Sequence, residues 1–344
     1  MDTKVLKPTE ENIRYAGSLI AAGQLVAFPT ETVYGLGADA RNGAAVASIF
    51  RAKGRPGDNP LIVHVSESGE ILPLVSGIPA QARILMEHFW PGPMTLIFPR
   101  SDRIPDEVSA GLDTVGIRMP SNPVARELIR RSGCPIAAPS ANRSGRPSPT
   151  TAAHVYEDMN GRIPVILDGG PCEVGLESTV IDARGPVPVI LRPGGITPEM
   201  IRAVAGDVRL DEHIMAPVAE GERVRSPGMK YRHYAPEART VIFEGTPEKV
   251  IAEICRRYDA EQAAGGFPAI LGFETHDYGG RRVLSLGVPE HPDEAAGRLF
   301  AALRELDTEK RTLALCEAVS LEGIGLAVMN RMGRAAAFDI IRIE

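Results

Sequence analysis

"QLVAFPTETVYGLGADA", residues 24–40, decides between two α/β architectures. The apolar run from Leu25 to Phe28 predicts a buried strand. Gly35, Gly37 and Ala40 then fall in a G-x-G-x-x-A spacing, superficially that of a dinucleotide fingerprint. The context excludes it. Six residues separate the strand from Gly35, the next helix begins late, and no acidic residue closes a second strand at the required distance. The competing account is a turn that needs glycines, and it leaves Thr30, Glu31, Thr32 and Tyr34 unexplained. Polar and aromatic groups placed directly after a buried strand more often line a pocket than decorate a surface.

Outward from this segment, helices and strands alternate. Residues 8–24 read as a helix with Thr9 as N-cap, a stripe of Ile13, Ala16, Leu19 and Ile20, and Gly23 as its stop. Helices at 44–52, 80–89 and 123–131, the last capped by Asn122, intersperse strands at 61–65, 94–98, 115–119 and 135–139. Three shorter strands follow up to Arg192. The pattern weakens from about 206 and resumes at 240 with strand, helix (247–257), strand, helix (292–305) and strand. Residues 1–205 are therefore expected to form one α/β domain, 206–239 a connector and 240–344 a smaller α/β domain.

Composition narrows the function classes. Of 344 residues, 44% are hydrophobic and 24% charged, which describes a globular chain with a substantial core. The 38 Lys and Arg against 44 Asp and Glu leave a net charge of −6, which argues against a dedicated nucleic-acid coat. The four cysteines are widely spaced, the start "MDTKVLKPTE" lacks an apolar core, and no run approaches the ~20 apolar residues of a membrane span. A reducing cytoplasm is the expected setting, away from membranes.

"RAKGRPGDNPLIVH" sets Lys53 and Arg55 around a glycine, with Asn59 and His64 bracketing the next strand. An isolated K-x-R is a solvated basic turn, whereas beside hydroxyls it becomes an anion clamp. "APSANRSGRPSPT" offers such hydroxyls in Ser140, Ser144 and Ser148, with Asn142 among them. Thr114 and Arg118 in "DTVGIRMP", Ser178 in "GLESTVID" and Arg192 in "LRPGG" place further polar groups at strand edges. Arg118 inside a strand needs a partner. A carboxylate ligand and an internal salt bridge serve equally well. With no Gly-Lys dipeptide, no metal-ligand spacing and no nucleophile elbow, the residues describe a cationic, hydroxyl-rich cleft for a phosphorylated ligand.

Taken together, "PTETVYGLG", "KGRP..NPL..H", "WPGPMT", "PSAN.SG.PSPT", "ESTV" and "RPG" resemble, in order, the L-threonylcarbamoyladenylate synthase family in its long, two-domain form. The connector "SPGMKYRHYAP" (226–236) extends the resemblance. It implies a YrdC-like twisted mixed-sheet domain with an open cleft, followed by a smaller Rossmann-like domain. The implied reaction joins L-threonine, bicarbonate and ATP into threonylcarbamoyl-AMP and pyrophosphate, the first step toward threonylcarbamoyladenosine in tRNA. By the same resemblance, Thr32, His64, Arg118, the backbone at Ala138 and Ser178 would hold threonine. Arg55, Asn59, Thr114, Ser140, Ser148, Arg192 and Tyr234 would hold ATP, with Lys53 and Asn142 completing the catalytic group of Lys53, Arg55, Ser140 and Asn142.

The chemistry agrees with the residues. A carbamate oxygen attacks the α-phosphate, so no enzyme nucleophile is required; positioning and cationic neutralisation suffice, with Mg²⁺ carried by the phosphates. The product is prone to hydrolysis, which implies hand-off to a tRNA threonylcarbamoyl transferase. It also gives the connector a purpose. Ser226, Lys230, Tyr231, Arg232 and His233, with Tyr234, would close over the cleft as a lid; the alternative is a linker whose rings merely pack. Two rivals stand beside this reading. A YrdC-like RNA-binding module without catalysis is disfavoured by the overall acidity. A hydrogenase-maturation relative would bring acylphosphatase and zinc-finger segments, and this chain has neither.

Overall fold

The computed structural model describes residues 2–216 and 234–344. They fall into two compact units, one of residues 2–144 and 148–214, the other of 145–147, 215–216 and 234–344.

The first unit opens with β1 (Lys4–Leu6), α1 (Glu10–Ala21), β2 (Val26–Phe28), β3 (Gly35–Asp39), α2 (Gly43–Lys53) and β4 (Ile62–His64). α3 (Ala80–Phe89), β5 (Met94–Pro99), α4 (Asp106–Ser109), β6 (Thr114–Arg118), α5 (Pro123–Ser132) and β7 (Ile136–Ala137) follow. It ends with α6 (Ala152–Met159), β8 (Val165–Leu167), β9 (Thr179–Asp182), β10 (Val189–Arg192), α7 (Pro198–Ala205) and β11 (Arg209–Leu210). Among the described residues the strands form one mixed sheet ordered β1-β8-β2-β3-β7-β4-β6-β5-β9-β10-β11. Thr9 caps α1 by accepting the N–H of Asn12. Gly17 lets α1 lie against α5, since a Cβ there would stand 2.9 Å from the Arg131 backbone. Ile13, Ala16 and Ile20 of α1 then join Val26, Phe28, Leu128 and Ile136 in a shared core.

Gly35 and Gly37, which the sequence offers as turn glycines, instead lie in β3, antiparallel to β2 with Phe28 opposite Gly35. Neither Gly35 nor Gly37 has a left-handed backbone. The glycines serve packing: a Cβ on Gly37 would stand 2.7 Å from Ile136 Cγ2 and 2.8 Å from the Phe28 ring.

The second unit contains β12 (Arg239–Glu244), α8 (Pro247–Ala263), β13 (Pro268–Gly272), β14 (Val283–Ser285), α9 (Pro292–Thr308), β15 (Leu313–Glu317), α10 (Gly325–Ala335) and β16 (Ile340–Arg342). Its sheet, ordered β14-β13-β15-β12-β16, is parallel throughout. Phe243, Val250, Ile254, Ile270 and Leu315 fill its core. Both α/β domains foreseen in the sequence are thus present, the second with the parallel sheet of a Rossmann-like fold.

Candidate active site

A single transverse row of the first sheet collects polar groups from strands far apart in sequence. His64 on β4 lies opposite Arg118 on β6, Arg118 opposite Thr95 on β5, Thr95 opposite Val180 on β9, and Val180 opposite Arg192 on β10. Residues opposite one another share a face of the sheet, so these side chains stand together. One step along that face, Gly116 lies between Ile62 and Ile97 in register. Ile62, Ile97 and Leu191 pack with the row's own Val180 as an apolar patch. A Cβ on Gly116 would stand 3.2 Å from Thr95 Cγ2, so the glycine makes room for the row's own side chains.

Arg118 is the centre of the row and is 3% exposed. Its Nη1 donates to Thr32 Oγ1 at 2.8 Å, and its Nη2 lies 2.8 Å from Glu31 Oε1. The internal salt bridge is therefore real, and it comes from the loop between β2 and β3. It does not exhaust the guanidinium. Nε and Nη2 of Arg118 and Oε1 of Glu31 are buried without a well-directed hydrogen bond. Burial alone would raise the Glu31 pKa, but Arg118's charge and the backbone N–H groups at Glu31 and Ser121 outweigh it and hold the carboxyl below its usual range.

His64 stands edge-on to the Phe28 ring, centroids 6.2 Å apart, with Nδ1 buried and unpaired. Burial first, and Arg118's charge second, push its pKa down to about 3, so the ring is a neutral donor and acceptor. Both amide atoms of the buried Asn59 are likewise unpaired among the described residues. Buried polar atoms without partners are uncommon, and a cluster of them is what a polar ligand would complete. Ser178 Oγ lies 2.8 Å from Thr95 Oγ1, and the Ser178 carbonyl accepts from Arg192 Nη2 at 3.0 Å and Nε at 3.2 Å.

The loop after β7 completes the surroundings. Leu36 donates its N–H to the Pro139 carbonyl and Ala141 donates to that of Tyr34, both at 2.8 Å, so the loop is tied to the β2–β3 hairpin. The Ala138 N–H goes to the Ile62 carbonyl. Lys53, 3% exposed at the end of α2, donates to the backbone carbonyls of Ser140 and, at 2.7 Å, Asn142. The sequence marked it as a point charge for phosphate; in the fold it is first a clamp on this loop. Ser140 Oγ donates to Asn142 Oδ1, and Ser148 Oγ to Glu177 Oε1. Arg55 follows α2 with its guanidinium 5.5 Å over the Phe50 ring, and Thr114 begins β6 opposite Pro99.

Tyr234 belongs to the second unit, its ring 5.2 Å from that of Phe300 and 5.9 Å below the Arg331 guanidinium. Ser226, Lys230, Tyr231, Arg232 and His233 lie outside the described residues. The sequence singles out Glu31 as a pocket-lining group without giving its partner, and it does not single out Thr95 or Glu177. These two lie inside the motifs "WPGPMT" and "ESTV", but only the register and the buried bonds reveal what they touch.

Comparison with known proteins places these observations. Residues 18–194 match the family model described as "Telomere recombination", and residues 196–337 match "Threonylcarbamoyl-AMP synthase, C-terminal domain". The threonylcarbamoyl-AMP synthase of Bacillus subtilis is 46% identical over 343 residues, covering 99% of this chain and 97% of that protein. That of Pyrococcus abyssi is 46% identical over 340 residues, covering 97% and 96%. The crystal structure of P. abyssi Sua5 complexed with L-threonine superposes with a TM-score of 0.93 at 44% identity, covering 100% of this chain and 99% of that one. End-to-end likeness of sequence and fold leads to one conclusion: the chain belongs to the threonylcarbamoyl-AMP synthase family, in its two-domain form.

Proposed function

We infer that this protein makes L-threonylcarbamoyl-AMP from L-threonine, bicarbonate and ATP with release of pyrophosphate, the first step of threonylcarbamoyladenosine formation in tRNA. One observation carries the reading. His64 and Arg118, two of the residues expected to hold threonine, stand opposite each other on one sheet row of a chain 46% identical, over 99% of its length, to a threonylcarbamoyl-AMP synthase.

In this reading Arg118 takes the threonine carboxylate, while Thr32, Ser178, the neutral His64 and the backbone at Ala138 hold the hydroxyl and amine. The amine captures CO2, losing a proton, and a carbamate oxygen then attacks the α-phosphorus as pyrophosphate leaves. Arg55, Asn59, Thr114, Ser140, Ser148, Arg192 and Tyr234 would hold the nucleotide. Lys53 and Asn142 would keep the Ser140 loop in shape beneath the phosphates. Fixed donors of this kind act by being in place before charge develops. Mg²⁺ carried on the triphosphate oxygens would neutralise phosphate charge.

The anhydride product hydrolyses readily, so direct hand-off to a tRNA threonylcarbamoyl transferase in the cytoplasm is part of the proposal. So are the limits 1–205, 206–239 and 240–344 for catalytic domain, connecting lid and second domain. No helix among the described residues is long and apolar enough to cross a membrane. The test is pyrophosphate release from ATP and bicarbonate with threonine, serine or valine as the amino acid. Release with threonine well above that with serine, and none with valine, is expected; no threonine-dependent release overturns the reading.

A further inference from the structure

Glu31 has no part in the assignment above, yet it is the acid nearest the cation on which that assignment turns. Its residue is 3% exposed, Oε2 takes the N–H of Asn122 at 3.4 Å, and Oε1 lies 2.8 Å from Arg118 Nη2. Arg118 is itself fixed through Nη1, which donates to Thr32. The remaining atoms do not close on each other. Oε1, Nη2 and Nε are all buried, close together and misaligned for hydrogen bonding. A donor and an acceptor thus stand side by side with unused capacity, and leaving such groups incomplete is unfavourable.

A carboxylate by itself would complete Arg118 badly. It would set two negative charges about one guanidinium in a place shielded from water, where repulsion is felt strongly. An amine next to the carboxylate changes that balance, because its N–H can engage the Glu31 oxygen. In an α-amino acid the amine nitrogen and the nearer carboxylate oxygen are separated by about a hydrogen-bond length. That matches the 2.8 Å between Glu31 Oε1 and Arg118 Nη2.

We propose that Glu31 restricts the Arg118 subsite to α-amino acids, accepting an N–H from the substrate amine while Arg118 takes the carboxylate. The inference rests on the threonine reading of the site. Glu31 acts by exclusion as well as by attraction: carboxylates lacking the amine meet an uncompensated negative charge.

The test is calorimetric binding of L-threonine and of 3-hydroxybutyrate, which keeps the carboxylate and hydroxyl but lacks the amine, to the full chain and to its Glu31→Gln variant. The unaltered protein should prefer threonine by roughly a hundredfold or more. In Glu31→Gln the ratio should fall at least tenfold, with a gain in hydroxybutyrate affinity. A residue that merely holds Arg118 in place would weaken both ligands together; an unchanged ratio overturns the proposal. Should the variant not fold, a crystal structure of the unaltered protein with threonine decides. An amine nitrogen within hydrogen-bond distance of a Glu31 oxygen supports the proposal, and one well beyond that distance overturns it. Absence of any threonine binding to the unaltered protein strikes the underlying reading and the proposal with it, and is thereby distinguishable from failure of the proposal alone.

Discussion

Lys53 Nζ donates to the carbonyl of Asn142 at 2.7 Å and also to that of Ser140, joining the end of α2 to the loop after β7. The ammonium therefore shapes the loop that presents Ser140 and Ser148. Replacing Lys53 by Met leaves the buried Asn142 carbonyl and the half-buried Ser140 carbonyl without this charged donor, at a cost of about 3 kcal/mol. Urea unfolding should show that loss, and hydrogen exchange should quicken at residues 140–144. Methionine retains the stem volume, so an unchanged stability would show that the clamp contributes nothing.

Gly37→Ala should destabilise the first unit by roughly 1–3 kcal/mol through overpacking, because its Cβ meets Ile136 and Phe28 below 3 Å. Gly35→Ala, whose nearest contacts are 3.2 and 3.3 Å, should be milder. Thermal unfolding of the two variants checks the order. A turn glycine would give no such ranking.

The imidazole of His64 should stay neutral through the physiological range. Its folded pKa is about 3 against an ordinary 6.5, so its contribution to stability is full above about 6.5 and is lost as pH falls toward about 3. The sign follows from the unfolded chain binding the proton first. NMR of the ring should show neutral-form shifts from pH 8 down to 5, and a midpoint inside that window would refute the burial argument.

Thr95→Val removes the hydroxyl that lies 2.8 Å from Ser178 Oγ without changing side-chain shape much. We expect KM for threonine to rise about tenfold, the order of one lost polar contact, with KM for ATP little altered. A matching rise for ATP would place Thr95 in general packing rather than in orienting Ser178.

Much of this was legible in the sequence, for identifiable reasons. Helix 80–89 and the Asn122 cap emerged because local spacing and capping chemistry fix them. β3 did not, since glycines read as turn residues unless their neighbours across the sheet are known. Arg118 announced itself as a charge in a strand, but its partner Glu31 is 87 positions away and becomes visible only when β2, β3 and β6 are folded together. Thr95 and Glu177 are ordinary polar residues until register and burial assign them neighbours.

Among the described residues β1, made of residues 4–6, pairs only with β8 at residues 165–167, and β2 also lies beside β8. At translation rates of about 5–20 residues per second, β1 therefore waits roughly ten to thirty seconds for β8 to follow it off the ribosome. It can be locked into the sheet only once that later strand arrives. During that interval the nascent chain carries unpaired strand edges of the kind that invite aggregation.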